Sequence, residues 1–197
     1  FYILGNYTNA SNGTDGFLAK YSPTGALLWQ RAMADTATAA NQNGQFWSIA
    51  LDSSNNVYVT GTTRNGSGVG QVGWLAKYNS AGTIQWQRNL ADTNAVGSQA
   101  TYVWGGSADS SGNVYPIGMY KNASGGYNIF IAKYNSSGVI QWQRSIADAA
   151  AAATQNDSGY GSTTDSSGNV YVYGKVRNAS GGTNFFVAKY NSSGTIQ

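Results

Sequence analysis

Residues 74–88 read Trp74-Leu75-Ala76-Lys77-Tyr78-Asn79-Ser80-Ala81-Gly82-Thr83-Ile84-Gln85-Trp86-Gln87-Arg88, and this stretch decides the fold. Two runs of aromatic and aliphatic residues flank a short polar segment ending in glycine, the pattern of two strands joined by a hairpin turn. In the second run Ile84, Trp86, Arg88 and Leu90 alternate with Gln85, Gln87 and Asn89, which is the period of a strand. Upstream lie two more such runs, joined by Asp52-Ser53-Ser54-Asn55-Asn56. An Asp side chain caps a turn of this kind, and Asn or Gly accepts the positive φ it needs. Residues 46–90 therefore hold four segments: A (Trp47 to Leu51), B (Val57 to Thr62), C (Trp74 to Tyr78) and D (Thr83 to Leu90).

The same unit recurs along the chain. Trp74-Leu75-Ala76-Lys77-Tyr78 matches Phe17-Leu18-Ala19-Lys20-Tyr21, Phe130-Ile131-Ala132-Lys133-Tyr134 and Phe186-Val187-Ala188-Lys189-Tyr190, giving a period of about 56 residues. Trp29, Trp86 and Trp142, each followed by Gln-Arg, keep that spacing, as do Asp52, Asp109 and Asp165 at the head of each Asp-Ser-Ser turn. Four antiparallel segments per unit and no helical run predict an all-β fold of β-propeller blades, four strands per repeat, with nearly four repeats present. A β-solenoid is the alternative architecture, but its coils are shorter and need no two hairpin turns at fixed places. The chain 1–197 reads as a single repeat region with phases 1–45 (partial), 46–101, 102–158 and 159–197 (partial). Phe1 to Tyr7 aligns with Val57 to Thr63, and Gln197 aligns with Gln85. The expectation is a segment of a longer chain or assembly.

Composition narrows the chemistry. The chain has 26 Gly, 14 Tyr and 6 Trp with 10% charged residues, a mixture suited to tight turns and aromatic packing. With no Cys, neither disulfides nor thiolate metal sites contribute. There is no His, and all 8 acidic residues are Asp. Most of these sit at two repeat positions, Asp35, Asp92 and Asp148 after strand D and Asp52, Asp109 and Asp165 at the A-to-B turn, whereas an active site needs different groups converging at one place. No catalytic residue, metal or cofactor is expected, and the chain is read as not an enzyme. The Asp-Ser-Ser turns lack the several carboxylates of a calcium loop. A net charge of +3 from scattered residues gives no case for a nucleic-acid partner. No apolar run approaches the ~18 residues of a membrane span, so no membrane insertion is expected.

The repeated residues have structural readings. Lys20, Lys77, Lys133 and Lys189, with Arg31, Arg88 and Arg144, are expected to form ion pairs with the repeated Asp. Trp29, Trp86 and Trp142 are expected to pack between neighbouring sheets, largely buried. Asn-x-Ser/Thr sequences such as those at Asn6, Asn65, Asn122 and Asn178 follow from an Asn/Ser-rich composition. The A-to-B and C-to-D turns are short and uniform and share one end of the strands. The B-to-C and D-to-A connections share the other end, are expected to be longer and more variable, and so are where recognition would sit. That end holds the candidate ligand-binding residues: Arg64, Lys121 and Arg177, with Trp47, Tyr102, Trp104 and Tyr160. Charge and stacking suit them to glycans. The plainer alternative is that the basic residues keep the rim soluble and the aromatics pack strand A.

The string Phe-x-Ala-Lys-Tyr-Asn-x-x-Gly-x-Ile-Gln-Trp-Gln-Arg, with Asp-Ser-Ser-Gly-Asn-Val-Tyr further along the repeat, resembles the SBBP family of β-propeller repeats over nearly the whole chain. The resemblance implies blades of a secreted or surface protein, and similar Asn/Ser/Gly-rich versions occur in bacteriophage structural proteins. Between strands D and A the chain departs from that pattern, with Ala-rich or Asn/Gln-rich stretches in place of a Gly-rich one. The C-to-D hairpin is also similar to the quinoprotein propeller repeat. On the SBBP resemblance the chain is expected to be a non-enzymatic structural or recognition module of a virion appendage such as a tail fibre, or of a secreted surface adhesin. Its expected partners are other structural subunits or cell-surface glycan, and its expected place is extracellular or on a virion surface. The alternatives are a quinoprotein-like propeller enzyme and a purely structural fibre or tube component.

Overall fold

The computed structural model describes residues 1–10, 13–32, 44–64, 71–90, 101–146 and 156–197, with the backbone alone at Arg64. Four antiparallel sheets follow one another along the chain. Sheet 1 is β1 (Tyr2–Thr8), β2 (Thr14–Tyr21) and β3 (Leu27–Ala32). Sheet 2 is β4 (Gln45–Leu51), β5 (Val57–Arg64), β6 (Gln71–Tyr78) and β7 (Ile84–Leu90). Sheet 3 is β8 (Thr101–Ala108), β9 (Val114–Lys121), β10 (Tyr127–Tyr134) and β11 (Ile140–Ile146), and sheet 4 is β12 (Ser158–Thr164), β13 (Val170–Arg177) and β14 (Thr183–Tyr190). Each sheet is a simple meander, with strands paired in sequence order. The described residues contain no helix, and none therefore crosses a membrane as a long apolar helix. Asp35, Asp92 and Asp148, and the stretch Ala149 to Ala153, lie outside the described residues.

One turn design serves most connections. Asp52 accepts from the backbone N–H of Ser54 and Asn56 at 2.9 Å each, and Asp109 and Asp165 repeat the arrangement. In the C-to-D turns Asn79 and Asn135 do the same. Gly82, Gly112, Gly138, Gly168 and Gly194 each take φ of 74–77°, and Asn55 takes 59° where its relatives have glycine. This left-handed position is what the Gly or Asn in the motif supplies. The expectation of longer, variable B-to-C loops is corrected for sheets 3 and 4, while residues 65–70 of sheet 2 and the D-to-A connections lie outside the described residues. Asn122 and Asn178 close five-residue turns with the same pair of N–H contacts, and Gly125 and Gly181 take the left-handed place. An Asn amide oxygen substitutes for the Asp carboxylate, so the same turn forms at both ends of the sheets.

The uninterrupted alternation along strand D is also corrected. Trp86 pairs with Lys77 but Ile84 pairs with Tyr78, so Gln85 is the extra residue of a bulge. A one-residue slip moves side chains to the other face. Ile84 and Trp86 therefore face opposite sides, and Trp86, Arg88 and Leu90 join the face of Lys77 and Leu75. Leu28 and Gln141 mark the same bulge in β3 and β11.

Three apolar clusters lie between the four sheets. Val57, Val59, Trp74, Ala76 and Tyr78 pack with Leu18 between sheets 1 and 2, while Tyr58, Leu75 and Leu90 face Val103 and Val114 between sheets 2 and 3. Tyr115, Ile117, Ile129 and Ile131 meet Val170 and Val172 between sheets 3 and 4. Alternate residues of one strand thus serve different clusters, as a sheet buried on both faces requires.

The repeated cations and indoles tie these interfaces. Lys20, Lys77 and Lys133 donate from Nζ to the carbonyls of Ser80, Ser136 and Ser192, in the C-to-D turn of the next sheet. The indole N–H groups of Trp29, Trp86 and Trp142 donate to the same three carbonyls at 3.0–3.2 Å. Arg31, Arg88 and Arg144 donate from Nε to Gly82, Gly138 and Gly194 at 2.7–2.9 Å. The expected ion pairs with Asp52, Asp109 and Asp165 are replaced by these carbonyl contacts, because each carboxylate is taken by its own turn and by Tyr58, Tyr115 or Tyr171. Burial of the repeated indoles is uneven: Trp142 is 9% exposed, whereas Trp29 and Trp86 are half-buried.

Candidate functional site

β4, β8 and β12 each carry a bulge at the same place. Phe46 pairs with Gly61 and Ser48 with Thr60, leaving Trp47 without a partner, and Trp104 and Tyr160 are skipped in the same way. The facing residue of the adjacent strand is glycine each time, because a Cβ on Gly61, Gly118 or Gly174 would collide with the carbonyl of Gln45, Tyr102 or Ser158. Bulges re-aim side chains and recur beside functional sites. Here they present an aromatic from each of three sheets at the end of the strands that carries the B-to-C and D-to-A connections.

The two gaps between these aromatics differ. Trp104 and Tyr160 stack with centroids 6.0 Å apart and planes 8° apart, and Lys175 Nζ lies 5.8 Å from the Tyr160 ring. Between Trp47 and Trp104 there is instead a cleft of about 500 Å3 lined by Gln45, Trp47, Thr62, Gln71, Tyr102 and Trp104. Gly105 accounts for the closed gap: a Cβ there would run into the Tyr160 carbonyl and the Gly161 backbone. Ser48 holds the equivalent place in sheet 2, and its Oγ reaches Gly106 O at 3.4 Å.

The cleft wall is mixed in character. Tyr102 meets Trp104 and Tyr127 edge-on at 6.3 and 5.9 Å. Burial, reinforced by the Tyr127 hydroxyl, raises the Tyr102 pKa. Thr62 is 3% exposed and its hydroxyl has no hydrogen-bond partner, an orphaned polar group beside the cavity. Trp47 is 46% exposed, leaving an indole face open.

Of the sequence candidates, Trp47, Tyr102 and Trp104 line the cleft and Tyr160 stacks behind it. Arg64 ends β5 opposite Gln71, and Lys121 ends β9 opposite Tyr127. The Arg177 guanidinium donates to Gly181 O at 2.7 Å, closing its own turn. Of the basic set, Arg177 is thus tied to its own turn, while Arg64 is placed by its backbone beside Gln71 of the cleft wall. Sequence reasoning missed Gln45, Thr62, Gln71, Tyr127 and Lys175. A signal existed: Asn6, Thr62, Met119 and Lys175 share one repeat position yet differ completely, and at another position the Thr14 and Thr183 of the end sheets give way to Gln71 and Tyr127. Positions where a repeat stops repeating are where one copy acquires its own chemistry.

Two other hollows compete less well. One of about 580 Å3 lies between the outer strands of sheets 1 and 2, but its cation, Arg31, is committed to Gly82 O. The other, about 230 Å3, lies between the turns headed by Asp109 and Asp165, whose carboxylates serve those turns. Among the described residues no three His, Cys, Asp or Glu side chains gather in one place.

No protein-family model and no curated protein matches the chain. Among solved structures it superposes over its full length on the Hadza microbial sialidase Hz136, with a TM-score of 0.58 and 13% identity. It spans 46% of that sialidase, less than half. It also aligns over its full length with a putative exo-beta-1,3-galactanase from Bifidobacterium bifidum s17, covering 66% of that chain at TM-score 0.49 and 12% identity. At such identities the sialidase likeness concerns the all-β fold alone.

Proposed function

We propose that the four sheets are blades of a β-propeller and that the chain is a non-enzymatic module recognising glycan through the cleft between Trp47 and Trp104. The blade reading is supported by four meanders of constant period that stack face to face, and by a sialidase sharing the fold. The virion-appendage or secreted-adhesin setting rests on the resemblance to SBBP repeats.

The cleft carries the glycan reading. Two indole faces and a phenol offer apolar platforms, while Gln45, Gln71, Thr62 and the Tyr102 hydroxyl offer neutral hydrogen-bonding groups. Flat apolar walls with a few placed polar groups match a sugar ring, which has C–H faces and a hydroxyl rim. Binding without cleavage is supported by the same lining. Glycoside hydrolysis commonly needs a pair of carboxylates, and the described lining residues include none.

A glycan array probed with the purified chain, followed by titration of the best binder, tests this reading. Wild-type protein should bind a defined subset of glycans and release no sugar from them. The Trp47→Ala variant should bind at least tenfold more weakly. Release of sugar by the wild type, or unchanged binding by Trp47→Ala, would overturn the reading.

A further inference from the structure

The open cleft between sheets 2 and 3 and the closed gap between sheets 3 and 4 can be matched position by position. Gln45, Thr62 and Gln71 of sheet 2 correspond to Tyr102, Met119 and Tyr127 of sheet 3. Gln45 pairs with Thr62, and Thr62 with Gly73, which lies against Val103 and Thr101 of sheet 3. Direct antiparallel partners share a face, as do residues two apart in a strand, so Gln45, Thr62 and Gln71 all stand on the face toward sheet 3.

In sheet 3 the protein occupies these positions with its own contacts. Tyr102 meets Tyr127 edge-on at 5.9 Å, and Met119 Sδ accepts from Ser158 Oγ of sheet 4 at 3.7 Å. In sheet 2 the same positions are left unused. The Thr62 hydroxyl is buried without a partner, and among the described residues no protein group bonds to the half-buried side-chain amides of Gln45 and Gln71. Each amide offers both a donor and an acceptor. The other side of the cleft, formed by Tyr102 and Trp104, is aromatic, and no described lining residue is charged. One wall is thus polar and unpartnered, and the facing wall is flat and apolar.

We infer that Gln45 and Gln71 are the specificity-determining residues of this cleft, their amides holding hydroxyls of an uncharged pyranoside whose C–H face lies against Trp104. The inference rests on the glycan reading above and adds an orientation to it, with the hydroxyl rim toward sheet 2 and the ring face toward sheet 3. β4 and β6 flank β5, which puts the two residues about 10 Å or more apart by two strand spacings. They therefore meet different hydroxyls. A site that hydrogen-bonds a hydroxyl rejects the analogue lacking it, because the group left behind in the site is unpaired.

Nuclear magnetic resonance titration with the methyl glycosides of glucose, galactose, mannose and N-acetylglucosamine, and with their monodeoxy derivatives, tests this. Wild type should bind at least one parent sugar. Gln45→Leu and Gln71→Leu should each weaken binding of that sugar by about fivefold or more. Each variant should also become indifferent to removal of one hydroxyl that wild type reads, and the hydroxyl should differ between the two. Both should keep the wild-type urea midpoint, since neither amide holds a protein group. If both variants bind as wild type does, or if amide and hydroxyl losses add independently, while Trp47→Ala still weakens binding, the inference fails and the glycan reading stands. If wild type binds no parent sugar, both fail. A lowered urea midpoint in both variants would overturn the inference by showing the amides committed to the fold.

Discussion

Two neighbouring gaps, between sheets 2 and 3 and between sheets 3 and 4, are built from the same repeat and end differently. At the turn end they are alike: a lysine, an indole and an arginine of one sheet donate to carbonyls in one turn of the next. At the bulge end Trp104 rests on Tyr160, whereas Trp47 and Trp104 stand on either side of a cleft. One of the positions that differ between them meets the next sheet directly, Gly105 in the closed gap and Ser48 in the open one. A repeat can therefore keep its sheets joined at one end while a few side chains differ at the other, where one gap is filled by a stacked pair and its neighbour is open.

The largest expected effect is loss of a shared tie. Trp142→Ala removes a nearly buried indole and its bond to Ser192 O, and should lower stability by about 3–5 kcal/mol. Trp86→Ala removes a half-exposed indole and should cost about half as much. Urea unfolding gives both values, and equal losses would show that the uneven burial of the two indoles does not set their contribution.

A smaller effect is expected from exchanging the deciding residues. Gly105→Ser should destabilise by about 1–3 kcal/mol, because its side chain meets the Tyr160 carbonyl, and should separate Trp104 from Tyr160. A changed tryptophan emission in that variant marks the lost stack. The reciprocal Ser48→Gly should leave the urea midpoint nearly unchanged but weaken glycan binding as sheets 2 and 3 draw together. Unaltered binding in Ser48→Gly would mean that something other than this side chain holds the cleft open.

Acid should act on the turn end before the bulge end. Burial raises the Asp52 pKa, but hydrogen bonds from Asn56, Ser54 and Tyr58 outweigh it and leave the carboxyl below its ordinary value of 3.8. Asp165 is lowered chiefly by Asn169. A lowered folded-state value means the stabilisation is complete above the unfolded pKa and is lost as pH falls through the folded one. The urea midpoint should be flat near neutrality and fall below about pH 4, and Asp52→Asn should lessen that fall. A midpoint that declines already near pH 6 would point to other groups. The smallest effect belongs to Lys175, which lies over Tyr160 beyond the cleft. Lys175→Gln should change binding of a neutral glycan by no more than about twofold.

Much of the fold was legible because the repeat is regular. The lysine spacing, the Asp-Ser-Ser turns and the Asn-x-x-Gly turns marked every described strand, and the observed ends extend the read segments by only a few residues. Pairing register was not legible. The bulges at Trp47 and Gln85 appear only once partner strands are fixed, although Gly61, Gly118 and Gly174 marked the first of them. The cations misled because sequence names the donor but not the acceptor, and the acceptors are backbone carbonyls in the next sheet. Trp47, Tyr102 and Trp104 were legible as site residues through their type and place. Lys175 was not, since its partner Tyr160 is brought to it only by the neighbouring strand.

The central claim, that the open gap and not the closed one takes the ligand, is tested most directly by titrating one bound glycan against Trp47→Ala and Tyr160→Ala side by side. The account predicts at least a tenfold loss for Trp47→Ala and a change within about twofold for Tyr160→Ala. A larger loss for Tyr160→Ala than for Trp47→Ala would contradict it.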